Sequence, residues 1–461
     1  MATMNNEKAR EFKNRFAGKV ILPGDAEYDD ERAIWNGMID RKPAVIAQCK
    51  TAGDVVQAVH FGRDEDLLVS VRGGGHNIAG KAVCDDGLMI DLSPMKKVTV
   101  DTEARVATVE PGCTLADLDE ATLPHGLATP TGINSTTGVA GLTLGGGFGW
   151  LSRKLGMTID NLLSATVVTA AGEQVVASES ENPDLFWGLR GGGGNFGIVT
   201  EFTFKLHPVG PDLLSGLIVF PFDEAKQVLL KFAEFTQEMP DELNVWFVTR
   251  KAPPLPFLPE EVHGKEVAVL AVCYAGDPAE GEKLVEPLRG FGTVVGEHVG
   301  AQPFVDWQKA FDPLLTPGAR NYWKSHNFTE ISEGVIDAII EYAAKLPSPH
   351  CEIFIGTIGG QTARVDGGAM AYSCRDANYV MNVHGRWEAP AEDQAVIGWA
   401  REFFNKSKPY ASGGAYINFL TEEEMDRLEF AYGATFQKLK DLKKKYDPDN
   451  FFRMNQNIKP G

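Results

Sequence analysis

The sequence predicts an α+β protein, and three observations carry that prediction. From about Pro43 to Pro208, short runs that alternate apolar and polar residues (RVATVEPG, LSATVVTAAGE, IVTEFTFKLHP) are separated by glycine turns and by brief helices such as TAGDVVQAVHFGRDE. From Pro208 to about Tyr410, helical stretches (DEAKQVLLKFAEFTQEM, ISEGVIDAIIEYAAKL) alternate with strands (NVWFVT, KEVAVLAVCYAG, CEIFIGTIGG, NYVMNVHGRW), which reads as a sheet flanked by helices. Residues 411–461 then change register: an extended YINFL, one helix over EEEMDRLEFAYGATFQKLKDLKKKY, and DPDN, where Pro448 stops it. The chain is accordingly divided at 1–208, 209–410 and 411–461.

Composition narrows the classes. A chain of 461 residues with 43% hydrophobic content can build sizeable cores. Its net charge of −19 and single basic run, KLKDLKKKY, argue against a nucleic-acid or acidic-membrane partner. That run reads as a solvated helix face near a helix C-terminus. The charged start MATMNNEKAREFKNRFAGKV lacks the apolar core of a signal peptide, and no stretch has the apolar length of a membrane span. Six scattered cysteines without CxxC spacing are expected to be reduced, which places the protein in the cytoplasm. Nine histidines without an HExxH or clustered pattern give no reason to expect a metal site.

Three glycine loops carry the chemistry. The first, VRGGGHNIAGKA from Val71 to Ala82, comes within one residue of the phosphate loop GxxxxGK[ST]. Ala82 lacks the hydroxyl that helps hold magnesium, and KAVCDDGLMIDL reads as turn and strand where that loop needs a helix. The second, GGGNFG from Gly192 to Gly197, matches GxGxxG in reversed context, with a helical NPDLFWGLR before it and a strand after. The third, PTGINSTTGVAGLTLGGGFGWLSRKLG, runs from Pro130 to Gly156. Glycine lets backbone amides approach an anion, and Ser135, Thr136 and Thr137 add hydroxyls. Three such loops, set on strands rather than ahead of one helix, suggest a large phosphate-bearing cofactor; tight turns of a small-stranded sheet are the alternative.

VRGGGHNIAG, ATVEPGCTLADL, GLTLGGGFGWLSRKLGMTIDNLLSATVVTAAGE, PDLFWGLRGGGGNFGIVTEFTFKLHP, YINF and YDPDNFFRMNQNI together resemble the berberine bridge enzyme-like branch of the FAD-linked oxidases, whose flavin domain is of the vanillyl-alcohol-oxidase type. The motifs stand in the family's order across nearly the whole chain. The resemblance implies an FAD domain split between residues 1–208 and 411–461, with a substrate domain between. It assigns His76 as the covalent anchor of FAD through the 8α methyl, and Arg72, Gly73, Gly74 and Gly75 to the pyrophosphate, with Asn77 and Gly80 nearby. Thr131, Gly132, Asn134, Thr136, Thr137, Gly138, Gly141, Gly145, Gly146, Gly149, Ile198, Val199 and Asn455 complete the expected cofactor set. Many members carry a second link from a cysteine where this chain has Asn134, so a single histidyl link is expected, as in the branch that takes smaller substrates. Thr137 falls where the family controls oxygen access and is close in size to the permissive Val.

The resemblance also implies Tyr416 as catalytic base, with Asn418 beside it. Since a phenol titrates near 10, that role requires a neighbouring cation or hydrogen bond. In NYVMNVHGRW one face carries Tyr379, Met381 and Val383 and the other Val380, Asn382 and His384; His384 and Tyr379 are possible helpers. The implied reaction is dehydrogenation of a small alcohol or cyclic amine, with molecular oxygen as acceptor and hydrogen peroxide as product. The alternatives are an oligosaccharide oxidase, an oxidative cyclase, or a flavin-binding protein without catalysis.

Overall fold

The computed structural model describes residues 6–461; residues 1–5, the start of the first expected domain and of the charged N-terminal stretch, lie outside the described residues. Strands β1 (Lys19–Ile21), β2 (Val45–Gln48), β3 (Val69–Arg72) and β4 (Leu88–Asp91) form a small sheet in the order β1-β2-β4-β3, parallel except at β1. Parallel neighbours need a crossover. Here it is the helix Ala52–Asp64, which starts at a capping box between Thr51 and Asp54 and packs Val55, Ala58 and Val59 in one core with Val69, Leu88 and Ile90.

The second sheet is antiparallel: β5 (Val98–Asp101), β6 (Val106–Val109), β8 (Leu162–Val168), β9 (Gln174–Ser178) and β10 (Ile198–Lys205), in the order β5-β6-β10-β8-β9. Its core joins Phe202 and Phe204 to Leu439, Leu442 and Ile458 from the end of the chain. A short pairing of β7 (Leu127–Ala128) with β11 (His207–Pro208) precedes the third sheet.

The third sheet has seven antiparallel strands: β12 (Asp212–Pro221), β13 (Leu243–Lys251), β14 (Glu266–Tyr274), β15 (Gly296–Pro303), β16 (Arg320–Phe328), β17 (Glu352–Thr357) and β18 (Tyr379–Trp387), in the order β15-β12-β14-β13-β17-β18-β16. Helices Ala225–Phe235, Glu333–Ala343 and Asp393–Ser407 bury Phe232, Val335, Ile336 and Phe403 in one core with Tyr379, Met381 and Val383. Alternation along β18 turns Val380 into a different core, with Trp150, Trp246 and Tyr416. The α+β class is as expected.

Four local expectations are corrected. YINFL is not a strand: Ile417–Phe419 is a single 3-10 turn. The long terminal helix is interrupted at Gly433, whose φ of +52° ends Leu428–Tyr432 before Phe436–Tyr446 begins. The basic run is not wholly solvated, because Lys443 is fully buried and paired with Asp447 at 2.6 Å. The third glycine loop also leads into a helix, Val139–Leu144, directly after Gly138.

Candidate active site

A cavity of about 300 Å³ lies between the glycine loops and the third sheet. Of the expected cofactor residues, Gly73, Gly74, Gly75, His76, Asn77, Gly132, Asn134, Thr137, Gly138, Gly141, Ile198, Val199 and Asn455 line it, as do Tyr416 and Asn418. The first and third loops meet backbone to backbone. A Cβ on Gly74 would lie 2.4 Å from the Gly138 nitrogen, and one on Gly138 would lie 2.4 Å from the Gly74 nitrogen. The second loop is tied in by Gly193 N–H donating to the Leu144 carbonyl at 2.9 Å and by Lys443 Nζ donating to the Asn195 carbonyl at 2.8 Å.

Seven expected cofactor residues stand elsewhere. Arg72 turns away from the cavity into a buried cluster, donating to Asp91 at 2.7 and 2.9 Å, to the Glu31 carboxylate at 3.1 Å, to the Glu31 carbonyl at 2.5 Å and to the Ala33 carbonyl at 3.2 Å. A guanidinium so fully engaged anchors the loop and has no donor left for a pyrophosphate. Gly80, at φ +71°, packs on Ile39, and Thr131 Oγ1 accepts from Gln308 Nε2 at 3.0 Å. Thr136 touches the histidine: its Oγ1 is 3.1 Å from His76 Nε2 and donates to Asn134 Oδ1 at 2.8 Å. Gly145 and Gly146 make room for the polar pair, since a Cβ would lie 2.2 Å from Asn418 Oδ1 and 3.2 Å from the Tyr416 ring respectively. Gly149 packs on the Thr131 carbonyl.

His76 stacks on Trp35 with ring centroids 4.9 Å apart. Burial lowers its pKa to about 4, so its imidazole is neutral at physiological pH and keeps a nucleophilic nitrogen. Where a second link would need a thiol, Asn134 uses its Oδ1 to accept from Thr136, and Cys113 Sγ points to the Lys97 carbonyl. The six cysteines are all buried and unbridged.

Tyr416 is 2% exposed and sits between the rings of Phe148 and Phe419, each 4.9 Å away. Its hydroxyl oxygen accepts from Gly147 N–H and from Asn418 Nδ2, both at 3.0 Å. Burial pushes its pKa up to about 12, outweighing these two hydrogen bonds. What opposes burial is hydrogen bonding and not a cation, so Tyr416 rests as a neutral phenol, contrary to the requirement for a preformed base.

FAD suits what is present. Among the described residues, the backbone amides of Gly73 to Asn77 donate to no protein acceptor, which leaves a run of N–H groups free for an anion. Asn455 Oδ1 and Trp323 Nε1 are buried without partners, and a Cβ on Gly194 would meet nothing within 4 Å. The sequence reading missed the opposite wall: Trp246, Trp323, Glu352 and Phe354 come from three strands of the third sheet, β13, β16 and β17, which no single sequence segment brings together. It also set GGGNFG aside as a dinucleotide fingerprint, correctly for its helix-before-strand context, yet Gly193, Gly194 and Gly197 line the cavity. His384 faces the cavity, whereas Tyr379 bonds Thr236 at 2.7 Å inside the helix-covered core.

Comparison with known proteins agrees with this geometry. The family model of an FAD binding domain matches residues 43–178, and that described as berberine and berberine like matches residues 415–459. An FAD-linked oxidoreductase of Dictyostelium discoideum is 34% identical over 98% of this chain and 96% of its own. (R)-6-hydroxynicotine oxidase of Paenarthrobacter nicotinovorans is 30% identical over 96% of this chain and 97% of its own. The crystal structure of 6-hydroxy-D-nicotine oxidase from Arthrobacter nicotinovorans superposes with a TM-score of 0.87 at 28% identity, covering 97% of this chain and 98% of that one. With its vanillyl-alcohol-oxidase-type fold and these relatives, the chain belongs to the berberine bridge enzyme-like family of FAD-linked oxidoreductases.

Proposed function

We propose that this protein is an oxidase that removes a hydride and a proton from a small alcohol or cyclic amine and passes the electrons to molecular oxygen, giving hydrogen peroxide. One observation carries the reading: a neutral His76 and the Tyr416–Asn418 pair face a single cavity walled by Phe148, Phe354, Phe419 and Trp323. FAD bound there supplies a two-electron acceptor that oxygen can reoxidise. Residues 1–208 and 411–461 hold it, and residues 209–410 form the substrate wall. His76 holds it by a single covalent link, because Asn134 cannot form a thioether. The amides of Gly73 to Asn77 take its phosphates, in place of Arg72.

Tyr416 binds the reacting group. Its oxygen already accepts two hydrogen bonds, so its own hydrogen is free to be donated to the substrate's oxygen or nitrogen. Asn418 fixes that orientation, with Nδ2 also donating to the Leu142 carbonyl at 3.2 Å. Kinship with an enzyme named for a hydroxylated nicotine supports a small cyclic substrate. Thr137 at the cavity supports oxygen access, and six buried thiols fit the cytoplasm.

The test is to denature the purified protein in acid, wash the pellet and record its visible spectrum. Yellow colour on a peptide containing His76 is the expected result, followed by peroxide release from a panel of benzylic alcohols and cyclic amines. A colourless pellet overturns the covalent link; absence of peroxide with every compound overturns the oxidase reading.

A further inference from the structure

A second space adjoins the cavity, a chamber of about 80 Å³ against strands β12, β13 and β14. Strand alternation builds its floor: Phe220, Phe247 and Leu270 point into the helix-covered core, while Leu217, Val219, Val248, Val269 and Ala271 line the chamber. Its cover is the loop between β13 and β14, which packs Leu255 and Leu258 with Val219, Val267 and Val269. That loop is stiffened by Pro253, Pro254, Pro256 and Pro259. Its ends are tied by Ala252 N–H donating to the Lys265 carbonyl at 2.8 Å and Gly264 N–H donating to the Ala252 carbonyl at 2.9 Å. Leu217, Val248 and Leu255 nevertheless stay only partly buried, so the cover leaves a preformed apolar hollow.

The hollow is continuous with the site. Ile133, Trp246, Leu315, Glu352 and Phe354 line both spaces. Trp246 and Phe354 stack at 5.4 Å on the boundary, and each is one ring away from Tyr416. Phe148 lies 4.9 Å from Tyr416 and 5.9 Å from Trp246; Phe419 lies 4.9 Å from Tyr416 and 6.2 Å from Phe354. A substrate held at Tyr416 therefore meets the chamber one ring further on. Little there suits a polar group. Among the described lining residues the charged or titratable ones are Arg250, His350 and Glu352, and Arg250 Nη1 already donates to Glu352 Oε2 at 3.0 Å. A sugar hydroxyl buried against the remaining aliphatic side chains would lose water without gaining a partner. At about 10–15 Å³ per water-sized group, the space takes roughly six, the size of a phenyl ring or a hexyl chain.

We propose that this chamber is a substrate subsite, and that the substrate is an alcohol or amine whose apolar aryl or alkyl group fills it. This rests on the oxidation reading above and sets it against the oligosaccharide alternative. Burial of that group supplies binding energy away from the reacting carbon.

Two measurements on the flavin-loaded enzyme decide it. The first is kcat/KM for flavin reduction by benzyl alcohols and pyrrolidines carrying an alkyl chain from methyl to octyl, with cellobiose and xylobiose alongside. It should rise about fourfold per methylene until the chamber is full, near hexyl. Val248→Phe should move the maximum to a shorter chain and Leu255→Ala to a longer one. Should Val248→Phe fail to take up flavin, Leu255→Ala decides. A rate indifferent to chain length, a maximum unmoved in the flavin-loaded variants, or faster reduction by the sugars overturns the subsite. The second is titration calorimetry with the matching para-alkylbenzamides, which have no carbinol hydride to give. Affinity that climbs with chain length in wild type and stops earlier in Val248→Phe, or later in Leu255→Ala, supports the subsite; affinity that ignores chain length, or no binding, overturns it. Climbing affinity without flavin reduction by any alcohol or amine counts against the oxidation reading and leaves the chamber standing as a binding site.

Discussion

The cavity has two walls of opposite construction. One is backbone: glycines of three loops, packed so closely that a methyl group at Gly74 or Gly138 would lie 2.4 Å from the other's main-chain nitrogen. The other is side chain: Trp246, Trp323, Phe354, Glu352 and His384, projecting from a seven-stranded sheet whose far face is sealed by helices. A backbone wall presents uniform amides and tolerates little change, which suits a fixed cofactor. A side-chain wall can be revised one residue at a time while the strands stay in register, which suits a variable substrate.

The contrast can be broken or sharpened experimentally. The largest effect should come from Lys443→Met, which strands Asp447 without its partner in the support behind the second loop. Removing one member of a buried pair costs about 3–5 kcal/mol. Denaturant melts should register that loss, and flavin content should fall with it; full flavin content would mean the loop stands without this support. Next is acid. His326, behind the sheet wall, is stacked on Phe404, and burial lowers its pKa from 6.5 to about 4. The unfolded chain therefore binds this proton first, so stability present above pH 6.5 is lost as pH falls toward 4, by up to about 3 kcal/mol. His326→Phe should flatten stability over that window, measured by melts at each pH. Gly138→Ala should cost about 1–3 kcal/mol by overpacking and should empty the site of flavin, read as absorbance per protein. Trp246→Leu, on the other wall, should cost about 2 kcal/mol through its lost stacking on Phe354, leave flavin content unchanged and alter which substrates reduce it. If Trp246→Leu loses flavin as Gly138→Ala does, the division into two walls fails.

The same contrast explains what was legible in the sequence. The glycine wall is local, so runs such as RGGGHN and STTG exposed it, and most of the expected cofactor residues line the cavity. The errors there concern direction. Arg72 ends β3 with its side chain among Asp91, Glu31 and Ala33, a partnership that needs β4 and residues 28–33 in place. Gly145 and Gly146 matter for the room they give Asn418 and Tyr416, some 270 residues away. Tyr416 was found by its motif, but its ionisation was not, because burial is a sum over neighbours from several elements.

The sequence by itself determined the α+β class, the glycine loops, His76 between Gly75 and Asn77, and the alternation that puts Tyr379 and His384 on opposite faces of one strand. These follow from spacing along the chain, which fixes dihedral freedom and side-chain direction. The tertiary structure alone decided that His384 meets Glu352 and Asn321, that Tyr416 stays protonated, and that Lys443 is buried with Asp447. Those outcomes depend on strand register and on exclusion of water, and neither is a property of any single segment.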